Sequence, residues 1–297
     1  MRDCLFSRLT YYDFKYGWLY DNSPEQLGVE WVRSRMDGII APQRQDVTSS
    51  TFKNEGIVHD YGNGDPEVVV LGDSHSLMWS RTIDEICRDL RTTVSFFGMD
   101  GGASPLLNLR EGDQGTGILT PPQRAEFDRA RILNLQKWKP PVVIIAARWD
   151  QYPEKQAEFE EMLAFLKTLG SQVILIEQPP VLPFGDRNAL HMAALMKWHR
   201  AESVTARKSL PMANFAQWKR GKVMLASLAD RFDFCTLVSL TDDLVDRDQR
   251  TLFQRGGEVL YIDDDHFSEA GCALFQTRLS DAIEGCIKGG AGELSLK

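Results

Sequence analysis

Cysteine is sparse and its spacing uninformative. Cys4, Cys87, Cys235, Cys272 and Cys286 are odd in number and form no C-x-x-C pair. Neither a zinc knuckle nor a closed disulfide framework is indicated. Basic clusters are missing too: 34 Lys and Arg against 42 Asp and Glu leave a formal charge of −8. A chain so acidic is poorly equipped to grip phosphates, so no nucleic-acid partner is expected. The longest aliphatic run, Val142 to Ala147, is far too short to cross a bilayer. The N-terminus, MRDCLFSRLTYYDFKYGW, lacks the apolar stretch of a secretory leader. As written, the chain is expected to be soluble.

What is present is ordinary globular material. With 43% hydrophobic and 26% charged among 297 residues, the chain can bury a core and long-range disorder is not expected. Residues 1–60 hold many aromatics but no clean period, and are read as an N-terminal extension or linker. The pattern changes at Asp65-Pro66. Glu67-Val-Val-Val-Leu71 is a short, fully apolar, β-branched run, the mark of a buried parallel strand. A helical stripe follows at Leu77, Ile83, Ile86, Cys87 and Leu90. The alternation repeats: strands at 94–97, 142–146, 173–176 and 234–238; helices at 121–136, around Phe159–Leu166, mostly through 188–228, and after His266. Alternating strands and helices predict a parallel sheet covered on both faces. In such sheets ligands gather at the carboxyl ends of the strands. That directs attention to the loops after Leu71 and Ala146 and to the approach to the last helix.

The first of these loops reads Gly72-Asp73-Ser74-His75-Ser76. A Gly there lets the chain turn sharply, and Ser74 falls at a helix N-terminus, where free N–H groups can stabilise an anion. Ser74 suits two roles, exposed nucleophile or simple helix cap. The last reads Tyr261-Ile-Asp-Asp-Asp-His-Phe-Ser-Glu-Ala-Gly271. Residues three apart at a turn can meet, so Asp263 can fix the tautomer of His266 and His266 can accept the serine proton. Asp264 and Asp265 are expected to be turn residues, their side chains directed away from the imidazole.

Gly72-Asp73-Ser74 and Asp263-x-x-His266 resemble the first and last sequence blocks of the SGNH (GDSL) hydrolase superfamily. The strings VVVLGDSHSLMW, IIAARWDQY and YIDDDHFSEAG are similar to the SGNH domain fused behind the membrane part of acyltransferase-three (OafA-type) O-acetyltransferases. The resemblance spans roughly residues 60–290. It implies an SGNH hydrolase fold: a flavodoxin-like three-layer α/β/α sandwich with a mostly parallel five-stranded sheet. On this reading 61–290 is the SGNH-like domain and 291–297 a tail. It also implies an acyl-serine intermediate, with an acyl donor and a carbohydrate acceptor or ester. The partner would be a membrane acyltransferase domain or protein, which would make the compartment extracytoplasmic. The chain as given reads as cytoplasmic.

The resemblance implies Ser74 as nucleophile with Asp263 and His266 completing the triad, and Ser74 also among the oxyanion donors. Gly101 and Gly102, in Gly98-Met-Asp-Gly-Gly-Ala-Ser-Pro105, are candidates to offer a backbone N–H to the oxyanion, or else form a flexible turn. Where the family carries G-x-N-D, this chain has Ala147-Arg148-Trp149-Asp150. The oxyanion Asn is missing; Arg148 is either the donor that replaces it or a salt-bridging surface residue. His75 and Trp149 are candidates for substrate contact, with Trp79 as a further surface for a pyranose ring; the alternatives are support of the nucleophile loop for His75 and core packing, the more frequent fate of Trp, for the other two. No cofactor and no metal is expected: a metallophosphoesterase, the reading G-D-S-H also admits, needs further His and Asp ligands that five histidines do not supply. The remaining alternative is a non-catalytic carbohydrate-binding module.

Overall fold

The computed structural model describes residues 55–62, 64–99, 105–108, 119–183, 209–255 and 258–294. The chain forms two compact units. One comprises Pro42–Pro180, Asn214–Asp243 and Cys272–Lys297; the other comprises Met1–Ala41, Val181–Ala213 and Leu244–Gly271.

The larger unit is an α/β/α sandwich. Its strands are β1 (Ile57–His59), β2 (Val68–Gly72), β3 (Val94–Gly98), β4 (Val142–Ala146), β5 (Gln172–Ile176) and β7 (Cys235–Val238), in the order β1-β3-β2-β4-β5-β7. Five are parallel, as expected, and β1 adds an antiparallel edge strand to β3. Helices α1 (Ser74–Leu90), α2 (Pro121–Trp138), α3 (Gln156–Thr168) and α4 (Phe215–Arg231) belong here, as do α5 (Thr241–Leu244) and α7 (Gln276–Leu294).

The strands are apolar throughout because both faces are covered. Val69, Leu71, Val143, Ile145, Val173 and Leu175 share a core with Phe127 and Leu135 of α2, Phe159, Met162 and Leu163 of α3, and Leu225 and Leu228 of α4. The alternate residues Val70, Phe96, Ile144 and Ile174 are equally buried and face the opposite way by the two-residue period of a strand. There α1 and α7 pack, and Trp79 meets Phe275 edge to face at 6.3 Å.

Strand β1 lies within the stretch read from sequence as irregular. Three residues are too few to show a period; tertiary contacts place them. The Ser95 hydroxyl donates to the Glu55 carbonyl (2.7 Å) and the Thr93 hydroxyl to Asp60 (2.9 Å), while His59 and Tyr61 both reach Asp84.

In the smaller unit β6 (Ser209–Pro211) pairs antiparallel with β8 (Arg250–Leu252), and β9 (Gln254–Arg255) with β10 (Glu258–Val259). The expected helix over 188–228 is therefore corrected. Its part up to 208 lies outside the described residues, 209–211 are strand, and only 215–231 are helical. Pro211 cannot continue a helix, and Asn214 in the left-handed region (φ 48°) precedes α4. A short helix α6 (Glu269–Ala273) follows the acidic turn.

Candidate active site

The nucleophile turn is shaped by close packing of strand ends. Gly72 pairs in register with Ala146 on one side and Gly98 on the other. A Cβ on Gly72 (φ +153°) would lie 1.9 Å from the Ala146 carbonyl oxygen, and one on Gly98 2.2 Å from the Ser76 hydroxyl. Only glycine fits at either position. The chain can therefore leave β2 directly into α1, with Asp73 as its N-cap and Ser74 as its first residue. Asp73 is buried, and its Oδ1 accepts the His75 N–H at 2.9 Å. Ser74 is half-buried, in the first turn, where backbone N–H groups lack intrahelical acceptors.

The loop after β4 is tied to this turn. The Arg148 N–H donates to Asp73 Oδ2 at 2.9 Å. The Arg148 side chain, 28% exposed, reaches buried Asp150 Oδ1 through Nε at 3.3 Å. Asp150 is fixed in turn: its N–H donates to Gln178 Oε1 (2.7 Å) and its carbonyl accepts from Gln217 Nε2 (3.1 Å). Hydrogen bonds thus run along the carboxyl edge of the sheet from the β2 loop to the end of β5. Asp73, Asp150 and Gln178 all escaped the sequence reading. Asp73 could have been found from its place inside the G-D-S string; Gln178 gave no signal.

The acidic turn belongs to the smaller unit. Asp263 Oδ1 accepts the N–H groups of Asp265 (3.0 Å) and His266 (2.7 Å), and the Ile262 N–H donates to the His266 carbonyl at 2.9 Å. The Asp264 carbonyl accepts from Leu182 N–H at 2.6 Å. So constrained, Asp263 Oδ2 lies 2.9 Å from His266 Nδ1, as the spacing predicted. Asp265 departs from expectation: its Oδ1 is 2.8 Å from the same nitrogen. The turn is not a regular helix, so the adjacent carboxylate reaches the ring nitrogen instead of pointing away from it. Burial alone pulls the His266 pKa down, but the two carboxylates outweigh it and raise it to about 10.

Other expectations are corrected. His75 is 1% exposed and Trp149 0%, so neither offers its ring to a substrate. Trp149 sits in the core, 5.1 Å from Phe159 between ring centroids, with Nε1 donating to the Ile176 carbonyl at 2.7 Å. Trp79, also buried, is a core residue. Gly101 and Gly102 lie outside the described residues. The carboxylates of Asp263, Asp264 and Asp265 come within 4.8 Å of one another, a grouping that could hold a cation; Asp263 and Asp265 instead serve His266.

The family model for the SGNH domain, described as fused to AT3 domains, matches residues 44–281. The chain belongs to the SGNH family. Membership implies acyl transfer or ester hydrolysis, and the association with AT3 domains fits a link to a membrane acyltransferase. Among solved structures, this SGNH chain is similar to a protein of Bacteroides fragilis NCTC 9343 whose name proposes an acylhydrolase. The two are 16% identical with a TM-score of 0.47, covering 75% of this chain and 88% of that one. No curated protein matches the sequence. Among the described residues, no helix is long and apolar enough to cross a membrane.

Proposed function

We propose that this SGNH domain moves an acyl group, most simply acetyl, between an oxygen ester and a carbohydrate through an acyl-serine on Ser74. The observation that carries the reading is the Asp263 carboxylate on Nδ1 of His266. It holds the Nδ1 proton in place and makes Nε2 the basic nitrogen. In the proposed cycle the Ser74 hydroxyl attacks the donor carbonyl while His266 takes its proton. The tetrahedral intermediate collapses, and His266 returns the proton to the leaving alkoxide. A sugar hydroxyl or water then attacks the acyl-serine by the same steps reversed, and its identity separates transfer from hydrolysis.

Charge on the oxyanion is met by the Ser74 N–H at the start of α1 and by Arg148, with Gly101 or Gly102 as further donors. Because the Arg148 N–H is committed to Asp73, its guanidinium is the group in that loop that replaces the missing Asn. The residues ahead of the family match at 44 serve as the linker to a membrane acyltransferase, which supplies the acyl group.

Ser74→Ala is the decisive variant. Turnover of a small acetyl ester should fall about a million-fold, as when a serine triad loses its nucleophile, while the melting temperature holds. In the wild type, mass spectrometry should show an acetyl group on Ser74 and its discharge to one of a panel of glycans. Full turnover by Ser74→Ala would end this reading.

A further inference from the structure

We infer that Asp73 is a positioning residue for the acyl-transfer step, acting through Arg148; the inference rests on the proposed role of Ser74. Strands β2 and β4 are neighbours in register, and their loops leave the sheet side by side at Gly72 and Ala146. The ladder itself does not hold these two loops together, because the pairing stops there. The Asp73 carboxylate bridges the gap. One oxygen caps α1 at the His75 N–H and the other accepts the Arg148 N–H, both at 2.9 Å.

A helix cap needs a single acceptor, and Ser or Asn would supply it as well as Asp. A carboxylate offers acceptors on both sides, and here both sides are used. The nucleophile's turn and the loop bearing Arg148 are thereby locked to one planar group. Asp73 itself is 2% exposed and turned into the protein, so it acts on the substrate only through what it holds. The lock continues outward: the Arg148 guanidinium is steadied by Asp150, and Asp150 by Gln178. In the reaction this fixes the distance between the attacking oxygen and the cation that meets the developing oxyanion. Displacement of about 1 Å in such an arrangement costs about 100-fold in rate.

Asn separates the two roles. Asp73→Asn keeps an acceptor for the cap but places an amide N–H₂ against one of the two backbone N–H groups, breaking the bridge. The expected result is a melting temperature near wild type, KM for a small acetyl ester changed by no more than about twofold, and kcat lowered about 100-fold. Asp73→Asn/Arg148→Ala should then be no slower than the worse single variant, because both changes disable one unit. Wild-type kcat in Asp73→Asn, or losses that simply multiply in the double variant, would reduce Asp73 to a helix cap. Asp73→Ser, which also keeps the cap alone, should behave like Asp73→Asn. If neither variant folds, hydrogen exchange of the wild-type Arg148 amide decides, with protection supporting the bridge and fast exchange overturning it. Ser74→Ala in parallel keeps the two ideas apart. An active Ser74→Ala removes the proposed function; an inactive one beside a fully active Asp73→Asn removes only this inference.

Discussion

Two charge triads of opposite sense occupy this molecule. On α2, Arg124 and Arg131 flank Asp128, all 4% exposed or less at the side chain, with Arg124 Nε 2.8 Å from the carboxylate and Arg131 joined to it. On the acidic turn, Asp263 and Asp265 flank His266, at 2.9 and 2.8 Å from one ring nitrogen. The first is sealed. Its guanidinium groups donate to the Leu106 carbonyl, each at 2.7 Å, and Arg131 stacks 4.4 Å over Phe127. Burial lowers the Arg131 pKa to about 10, which still leaves a permanent cation at neutral pH. That cluster clamps the chain after β3, and its sealed side chains are committed to each other and to the Leu106 carbonyl. The second is half-open, with the His266 side chain 13% exposed, and is built around the side chain whose proton is most readily exchanged. Similar geometry thus gives a structural clasp where the centre is a carboxylate and puts a titratable ring between two acceptors where it is imidazole.

The difference can be broken from either side. Asp263→Asn should cost the most, about 10,000-fold in kcat as for the equivalent change in serine proteases, with little change in melting temperature. A mild effect, with Asp265→Asn the crippling change, would transfer the orienting role to Asp265.

In the clasp the loss should fall on stability. Asp128→Ala leaves two buried guanidinium groups without their shared carboxylate and should remove about 3–5 kcal/mol of unfolding free energy by denaturant titration. At low temperature the folded fraction should keep kcat within the same order of magnitude. Collapse of kcat in fully folded protein would show that the clasp belongs to the catalytic apparatus.

The gentlest probe is pH. With the His266 pKa raised to about 10, the neutral base is scarce at pH 7, and kcat/KM should climb about tenfold per unit on the way to pH 10. Asp265→Asn removes one of the two raising carboxylates, so its alkaline limb should move to lower pH. Stability runs the other way. A raised histidine stabilises the fold fully below its unfolded value near 6.5, and the contribution is lost as pH rises through about 10. A flat kcat/KM from pH 6 to 10 would mean that His266 is not the titrating base.

The parallel strands were legible because burial on both faces forces unbroken apolar runs, as in Val68–Leu71 and Val142–Ala146. The Asp263–His266 contact was legible because three-residue spacing in a turn is a local property. What was not legible was one non-local packing choice and one irregular turn. Trp149 suited either a sugar platform or the core, and its place after β4, against Phe159, decides for the core. Asp265 looked like a turn residue because helical geometry was assumed where the backbone is irregular.

Sequence alone therefore determined the layered α/β architecture, the serine at the end of β2 and the pairing of Asp263 with His266. All three follow from periodicity and short-range geometry. Tertiary structure alone decided that Asp73 bridges to Arg148, that a second carboxylate reaches His266 Nδ1, and that β1 closes the sheet edge. Those depend on which side chains meet after strands pair and turns close. Hydrogen bonds such as Asp73 to Arg148, 75 residues apart, leave no mark in the spacing of either partner.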